Sequence, residues 1–218
     1  MNIVAFVPIK LNNERLVNKN ILPLGGKPLC CHLLDTLCKI PLLDEIYVFC
    51  SQPQILEYLP NGVKFLKREP ELDAFSAHHY DIVRSFVSKI EADIYVNAHV
   101  TNPFIKPETI VDGVESVLYR EHDSVCAVTE IREHMWREGK PFNFAFNDPP
   151  RTQDLTPFYA EVGLFMYKKE VFLNTETRYG KNPYLMILDR IESFDINYQD
   201  DYELAQAIYS VRKTHKNS

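Results

Sequence analysis

The chain has 218 residues, 45% of them hydrophobic and 25% charged, with a formal net charge of −6; it is long enough for one globular domain that buries most of its apolar surface. An acidic balance with a single short basic loop argues against a nucleic-acid binder, and no apolar run nears the roughly 18 residues needed to cross a bilayer. Five cysteines, at 30, 31, 38, 50 and 126, form no C-x-x-C pair and lie in apolar surroundings. The opening lacks the cationic segment and cleavage site of a signal peptide, so the thiols are expected to be reduced core or near-core groups of a cytoplasmic protein.

In chain order, residues 2–8 form a continuous apolar strand, the pattern of a parallel-sheet strand buried on both faces. Pro28 suits the first turn of a helix, predicted to run to about residue 40 with Leu29, Leu33, Leu34 and Leu37 on one face. Strands follow at 45–50 and 63–66, a helix at 77–90, a strand at 93–97, a helix opened by Pro107 at 107–119, and a strand at 124–130. Residues 131–158 lose periodicity and gather prolines and aromatics, Trp136, Phe142, Phe144 and Phe146 among them. A segment of this kind without its own core is an active-site flap or a surface that packs on a second subunit. A strand at 161–167 resumes the sheet, 193–196 is the expected last strand, and a helix at 199–213 precedes a short polar tail. This alternation predicts one α/β domain over 1–218, three-layered, with a mostly parallel mixed sheet and helices on both faces.

The first strand empties into a loop whose charge contrasts with the rest of the chain. From Lys10 to Lys27 four basic residues face one acid, Glu14, where open α/β sheets place their ligands. Lys10, Arg15 and Lys19 can each meet phosphate oxygens, Arg15 through a forked donor and the lysines as point charges. Asn12, Asn13 and Asn20 add neutral donors. The plainer alternative is a solvated surface loop, and the absence of the P-loop glycines and K-[ST] ending rules out that motif. His78 and His79 are adjacent near a helix start, point in different directions and lack further ligands, so no metal site is expected there. His99, at a strand end, suits either a general base near neutral pH or a hydrogen-bonding loop residue.

The run VPIKLNNERLVNKNILPLGGKPL resembles the opening signature of the CMP-sugar-acid cytidylyltransferases, which activate sialic acid, related nonulosonates and keto-deoxy-octulosonate. Lys10, usually arginine, and Val17, usually proline, depart from the pattern. Weaker echoes follow: Lys67-Arg68-Glu69-Pro70-Glu71-Leu72, then Asn97-Ala-His99-Val-Thr101-Asn102-Pro103, then Arg151-Thr-Gln153-Asp154-Leu155 through Tyr159 to Gly163, then Asp195-Ile196-Asn197. The resemblance implies a nucleotide-diphospho-sugar transferase-like Rossmann-type fold, usually dimeric, with CTP and an acidic sugar as substrates and Mg²⁺ as cofactor.

Residue by residue, it implies that Lys10, Arg15 and Lys19 hold the triphosphate and that Asn12, Asn20, Arg68 and Ala77 line the nucleotide. It gives the acceptor to His99, Thr101, Asn102, Gln153 and Tyr159, and the metal to Asp195 and Asn197. His99 stands where relatives carry a glutamine. Ala160 and Val162 replace polar handles for the sugar acid, and Asn197 replaces an aspartate. The implied reaction is transfer of CMP from CTP to an acidic keto-sugar with release of pyrophosphate. Two readings stand beside it: the same chemistry on a phosphorylated or phosphonate acceptor, and a CTP-binding homologue without turnover.

Overall fold

β1 (Ile3–Pro8) has no polar face. Ile3, Ala5 and Val7 belong to one buried cluster and Val4 and Phe6 to another, because period-two alternation sends neighbours to opposite sides of a sheet. The computed structural model describes residues 1–74 and 76–216; Phe75 and the last two residues of the predicted tail lie outside them.

After β1 the chain makes a short antiparallel ladder, β2 (Pro23–Leu24) with β3 (Lys27–Pro28), then α1 (Leu29–Leu37), β4 (Glu45–Cys50), β5 (Val63–Lys67), α2 (His79–Lys89), β6 (Ile94–Ala98), α3 (Pro107–Tyr119) and β7 (Ser124–Ile131). A second small ladder, β8 (Trp136–Arg137) with β9 (Lys140–Pro141), precedes β10 (Phe158–Lys168), α4 (Lys169–Thr175), β11 (Pro183–Leu188) and α5 (Gln199–Lys216). Seven strands form one sheet in the order β11-β7-β10-β6-β1-β4-β5. β10 runs antiparallel to both its neighbours, and every other adjacent pair is parallel.

The predicted three layers are present. α1 and α3 cover the face that carries Ala5 and Val96, and α2 and α4 cover the face that carries Phe6, Tyr95 and Tyr167. A third cluster joins Leu16, Leu24, Leu29, Phe104 and Ile196 to Tyr202 and Ala205 of α5, which fixes the terminal helix over the loops at one end of the sheet. Gly25 and Gly26, at φ +61° and +86°, make the reverse turn between β2 and β3, a conformation that glycine adopts without steric cost.

Three expectations are corrected. Residues 193–196 are not a strand: Ser193 and Phe194 close a turn onto Asp189 and Ile191, and Phe194 and Ile196 pack against the α5 cluster. The last strand is β11, parallel to β7. α2 begins at His79, so Ala77 lies in the preceding loop. Four cysteines are buried, and Cys38 is exposed rather than in or near the core. The span 131–158 holds the β8–β9 hairpin, turned by Glu138 and Gly139 at positive φ. Its Trp136 and Phe146 stay 55% and 70% exposed while meeting each other edge-to-face.

Candidate active site

The chain places β4 and β5 on one side of β1, then returns to the other side with β6. The crevice between the carboxyl ends of β1 and β6 is therefore the topological switch point, where open α/β sheets bind ligands. A cleft of about 310 Å³ lies there. One wall carries Lys10, Asn13, Lys19 and Asn20, and the other His99 and Thr101; Arg68, Asp73, Ala77 and His79 complete it.

Lys19 and Asn20 are buried in a single 3₁₀ turn that follows Asn18 in the left-handed region (φ 54°). Asn20 donates to the carbonyl of Lys10 at 2.7 Å, which ties the two ends of the basic loop together. Lys19 Nζ donates to the carbonyl of Ile196 at 2.6 Å, and the backbone N–H of Ile196 donates to Thr101 at 2.9 Å. Three segments far apart in sequence thus meet at the cleft. Burial lowers the pKa of Lys19; Asp195 and Asp201 pull it back up, and Arg15 and Lys10 push it further down.

Arg68 is almost fully buried. It pairs with Asp73, donates to the carbonyl of Phe49 and lies over the Phe49 ring. Asp73 also accepts from Ser51. Arg68 therefore holds the wall in place with its charge already compensated. Asn102, fully buried, braces the opposite wall by donating to the carbonyl of Phe194 and accepting from the N–H of Gly163. Gly163 is needed for that approach, since a Cβ there would fall 2.5 Å from Asn102 Oδ1 and 2.7 Å from the His99 Cβ. The ladder between β10 and β7 is irregular around this glycine.

His99 and His79 face each other with ring centroids 5.4 Å apart. Burial, then the charges of Arg178 and Lys19, push the pKa of His99 down to about 4. Burial, then His99 and Arg178, push that of His79 down to about 3. Both imidazoles are neutral near pH 7. Asp195 accepts from the carboxamide of Asn197 at 2.6 Å. Asp201 accepts from the N–H groups of Asn197 and Tyr198, so it caps α5 as an acid at a helix start should.

The predicted residues divide clearly. Lys10, Lys19, Asn20, Arg68, Ala77, His99 and Thr101 line the cleft, Asn102 supports it, and Asp195 and Asn197 sit beside it through the Lys19–Ile196 bond. Arg15 is exposed and lies 5.5 Å from the Tyr198 ring. Asn12 is exposed and its place in the lining is taken by Asn13. Gln153, in the 131–158 span, and Tyr159, on β10, are exposed and absent from the cleft lining. Sequence reasoning missed Asp73, which directly follows the Lys67–Leu72 run, and His79, which the sequence brings up only to set it aside as a metal ligand.

A protein-family model described as cytidylyltransferase matches residues 4–216. The chain is 27% identical over 214 residues to an N-acylneuraminate cytidylyltransferase of Streptococcus agalactiae serotype V, covering 93% of this chain and 52% of that protein. It thus spans about half the length of this relative. It is 22% identical over 226 residues to a pseudaminic acid cytidylyltransferase of Campylobacter jejuni, covering 97% of each. Among solved structures, a CMP:2-keto-3-deoxy-manno-octonic acid synthetase complexed with CTP superposes with a TM-score of 0.72 at 15% identity, covering 97% of this chain and all of that one; this likeness shows the fold. With the family model spanning nearly every residue from β1 to the end of α5, the chain belongs to the cytidylyltransferase family.

Proposed function

We propose that this chain transfers CMP from CTP to an acidic keto-sugar. The acceptor hydroxyl oxygen forms a bond to the α-phosphorus, the bond from that phosphorus to the bridging oxygen breaks, the hydroxyl proton is lost, and pyrophosphate leaves. The observation that carries the reading is the joining of three segments through the Lys19–Ile196 and Ile196–Thr101 bonds. Its ammonium faces a cleft at the β1–β6 switch point while its bond to Ile196 holds the Asp195–Asn197 pair alongside. Crowded negative charge is the obstacle in nucleotidyl transfer, and preformed cations answer it best in a partly desolvated site.

Lys10 and Lys19 take the triphosphate, the Arg68–Asp73 wall and Ala77 flank the nucleoside, and His99 and Thr101 face the acceptor. His99, neutral at working pH, is able to accept the hydroxyl proton. Mg²⁺ fits the chemistry of Asp195, a carboxylate of the kind that Mg²⁺ takes when substrate phosphates supply further ligands; Asn197, whose amide nitrogen now donates to Asp195, would add its carboxamide oxygen once that amide is reversed. When bound, the ion would neutralise charge on the triphosphate. The exposed aromatics of 131–158 form the contact between two copies in a homodimer. The free thiols suit a reducing compartment, the cytoplasm, and no helix among the described residues is long and apolar enough to cross a membrane.

The test is pyrophosphate release from each of the four nucleoside triphosphates with N-acetylneuraminate, pseudaminate and 3-deoxy-manno-octulosonate. Release is expected with CTP and an acid sugar. CTP binding without release from any sugar would favour the non-catalytic reading, and failure to bind CTP would overturn both.

A further inference from the structure

A second cavity, of about 450 Å³, opens between α1, the loop that leads into α3 and the last turns of α5. It shares no lining residue with the cleft at the β1–β6 switch point. Five cations line it, Lys27, Lys39, Lys106, Arg212 and Lys213, against a single carboxylate, Asp35. The rest of the chain has the opposite sense, with a net charge of −6. Gathering like charges around one concave surface costs free energy until a counter-charge answers them.

Two of the five are answered within the chain. Lys27 pairs with Asp35, and Lys106 lies 2.9 Å from Asp189 and from Glu192. Lys39, Arg212 and Lys213 have no carboxylate partner and make no side-chain hydrogen bond among the described residues. A cation near the end of a helix answers the helix dipole, which accounts for Lys39 and Lys213 taken singly. Arg212 adds what the dipole does not explain. Its guanidinium carbon lies 5.7 Å from the centroid of Phe104, so the ring steadies the fork and leaves its N–H donors free, the arrangement that suits phosphate oxygens. The wall beneath is firmly held. Phe104 is buried in the cluster with Leu24, Leu29 and Ile196, and the Tyr209 ring lies so close to Gly25 that a Cβ there would fall 1.9 Å from it. His32 meets Tyr209 edge-on at 5.4 Å and donates from Nε2 to the carbonyl of Leu24 at 2.9 Å.

We propose that this groove is a second ligand site, which takes a small phosphorylated molecule through Arg212, Lys39 and Lys213. The phosphate oxygens accept from the guanidinium fork and from the two ammonium groups, while Phe104 and Tyr209 pack against the body of the ligand. Its volume lies within the range of about 300–1,000 Å³ usual for small-molecule sites, and its lining joins an apolar wall to a few convergent polar groups as such sites do. The inference goes beyond the reaction assigned to the cleft and does not depend on it.

The probe is ribose 5-phosphate, added to the full chain at pH 7 while the imidazole Cε1–H signals are followed by NMR, that of His32 being assigned from His32→Gln. His32 reports the groove, and His79 and His99 report the cleft. Ribose 5-phosphate is expected to shift the His32 signal saturably, whereas ribose and chloride at equal ionic strength do not. Inorganic phosphate should act with a weaker midpoint; equal midpoints would overturn the phosphorylated molecule in favour of free phosphate. Arg212→Met keeps the stem packed on Phe104 and should weaken the His32 response at least tenfold, and Arg212→Lys should fall between. Lys19→Ala alters the cleft alone and should leave the His32 response unchanged. The site is overturned if His32 shows no saturable shift, if ribose or chloride acts equally, if Arg212→Met responds as wild type, or if Lys19→Ala abolishes the shift.

Discussion

Lys19 Nζ lies 2.6 Å from the carbonyl oxygen of Ile196, so a residue of the first loop is fastened to the segment that leads into the last helix. The bond is made by an ammonium that burial has already stripped of most of its water, which makes it expensive to break and well placed to meet phosphate.

Replacing Lys19 by alanine is expected to reduce CTP affinity by roughly one to two orders of magnitude, in line with about 1.5–3 kcal/mol for a charge-assisted hydrogen bond. The Ile196 carbonyl loses its donor as well, so the melting temperature should fall. Lys19→Met separates the two effects by keeping the stem packed while removing the charge. Calorimetric titration with CTP on both variants decides the matter, and affinity equal to wild type in either would remove Lys19 from the phosphate site.

Gly163→Ala is expected to cost about 1–3 kcal/mol, the usual range for overpacking a tight site. The added methyl meets both Asn102 Oδ1 and the base of His99, and neither lies at the free end of a flexible chain. The fall in stability should be accompanied by a raised KM for the acceptor with little change for CTP, because the displaced wall is the acceptor wall. Thermal melts and two-substrate kinetics read the two effects; an unchanged melting temperature would show that the β10 irregularity relaxes to admit the methyl.

Acid should destabilise the fold through the histidine pair. In the unfolded chain both imidazoles take up protons near pH 6.5, whereas in the fold they resist until about pH 4 and 3. Above pH 6.5 neither state is protonated and the pair has no linked effect. As pH falls from 6.5 toward 4 the unfolded state binds more protons, and stability drops at about 1.4 kcal/mol per unit for each fully linked proton. Urea midpoints between pH 7.5 and 4.5 should fall in wild type and less steeply in His99→Gln. Parallel slopes would mean that His99 titrates normally in the fold.

Much of the fold was legible because its signals are local. The apolar run of β1 and the proline that opens α3 depend only on neighbours along the chain, whereas Pro28 ends β3 in extended backbone just before α1 instead of entering its first turn. β11 was missed because Leu185 and Ile187 are apolar yet exposed on the side opposite Met186, which hides the period of two. The strand expected at 193–196 shows that period, yet Phe194 and Ile196 turn into the α5 cluster instead of a sheet. At the site, the lysines were readable from charge at a strand mouth, and Asn197 beside Asp195 only through the family resemblance; turn geometry rather than a strand brings them together. The neighbourhood of His79, His99 and Arg178 was not readable. It arises from the packing of three segments on one sheet face, and no local pattern announces such a meeting.

The aromatic hairpin predicts assembly. Trp136, Phe142 and Phe146 are at least half exposed, although Trp136 and Phe144 meet within 5.5 Å and Phe142 stacks toward Phe158 at 5.6 Å. Together they make a contiguous apolar surface that a lone chain would leave in water. Light scattering at micromolar concentration should give twice the chain mass, and Trp136→Glu with Phe146→Glu should shift the mass to one chain while the circular dichroism of the sheet persists. A wild-type mass of one chain would return the hairpin to the role of a flap.

The metal gives the sharpest prediction, because Asp195 and Asn197 already touch. A carboxylate and a carboxamide oxygen supply one negative charge, so affinity for Mg²⁺ should depend heavily on the triphosphate. Asp195→Asn removes that charge at an exposed position and should abolish turnover with little loss of stability. Asn197→Asp restores a second carboxylate, and it also places two like charges where a hydrogen bond now holds the pair. Without metal the second variant should therefore be less stable than wild type, and Mg²⁺ should recover more of its melting temperature than it does for wild type. In kinetics at saturating CTP, Asn197→Asp should reach half-maximal rate at lower Mg²⁺. Undiminished activity in Asp195→Asn would place the ion elsewhere and leave Asp195 as a partner of Asn197 at the entrance to α5.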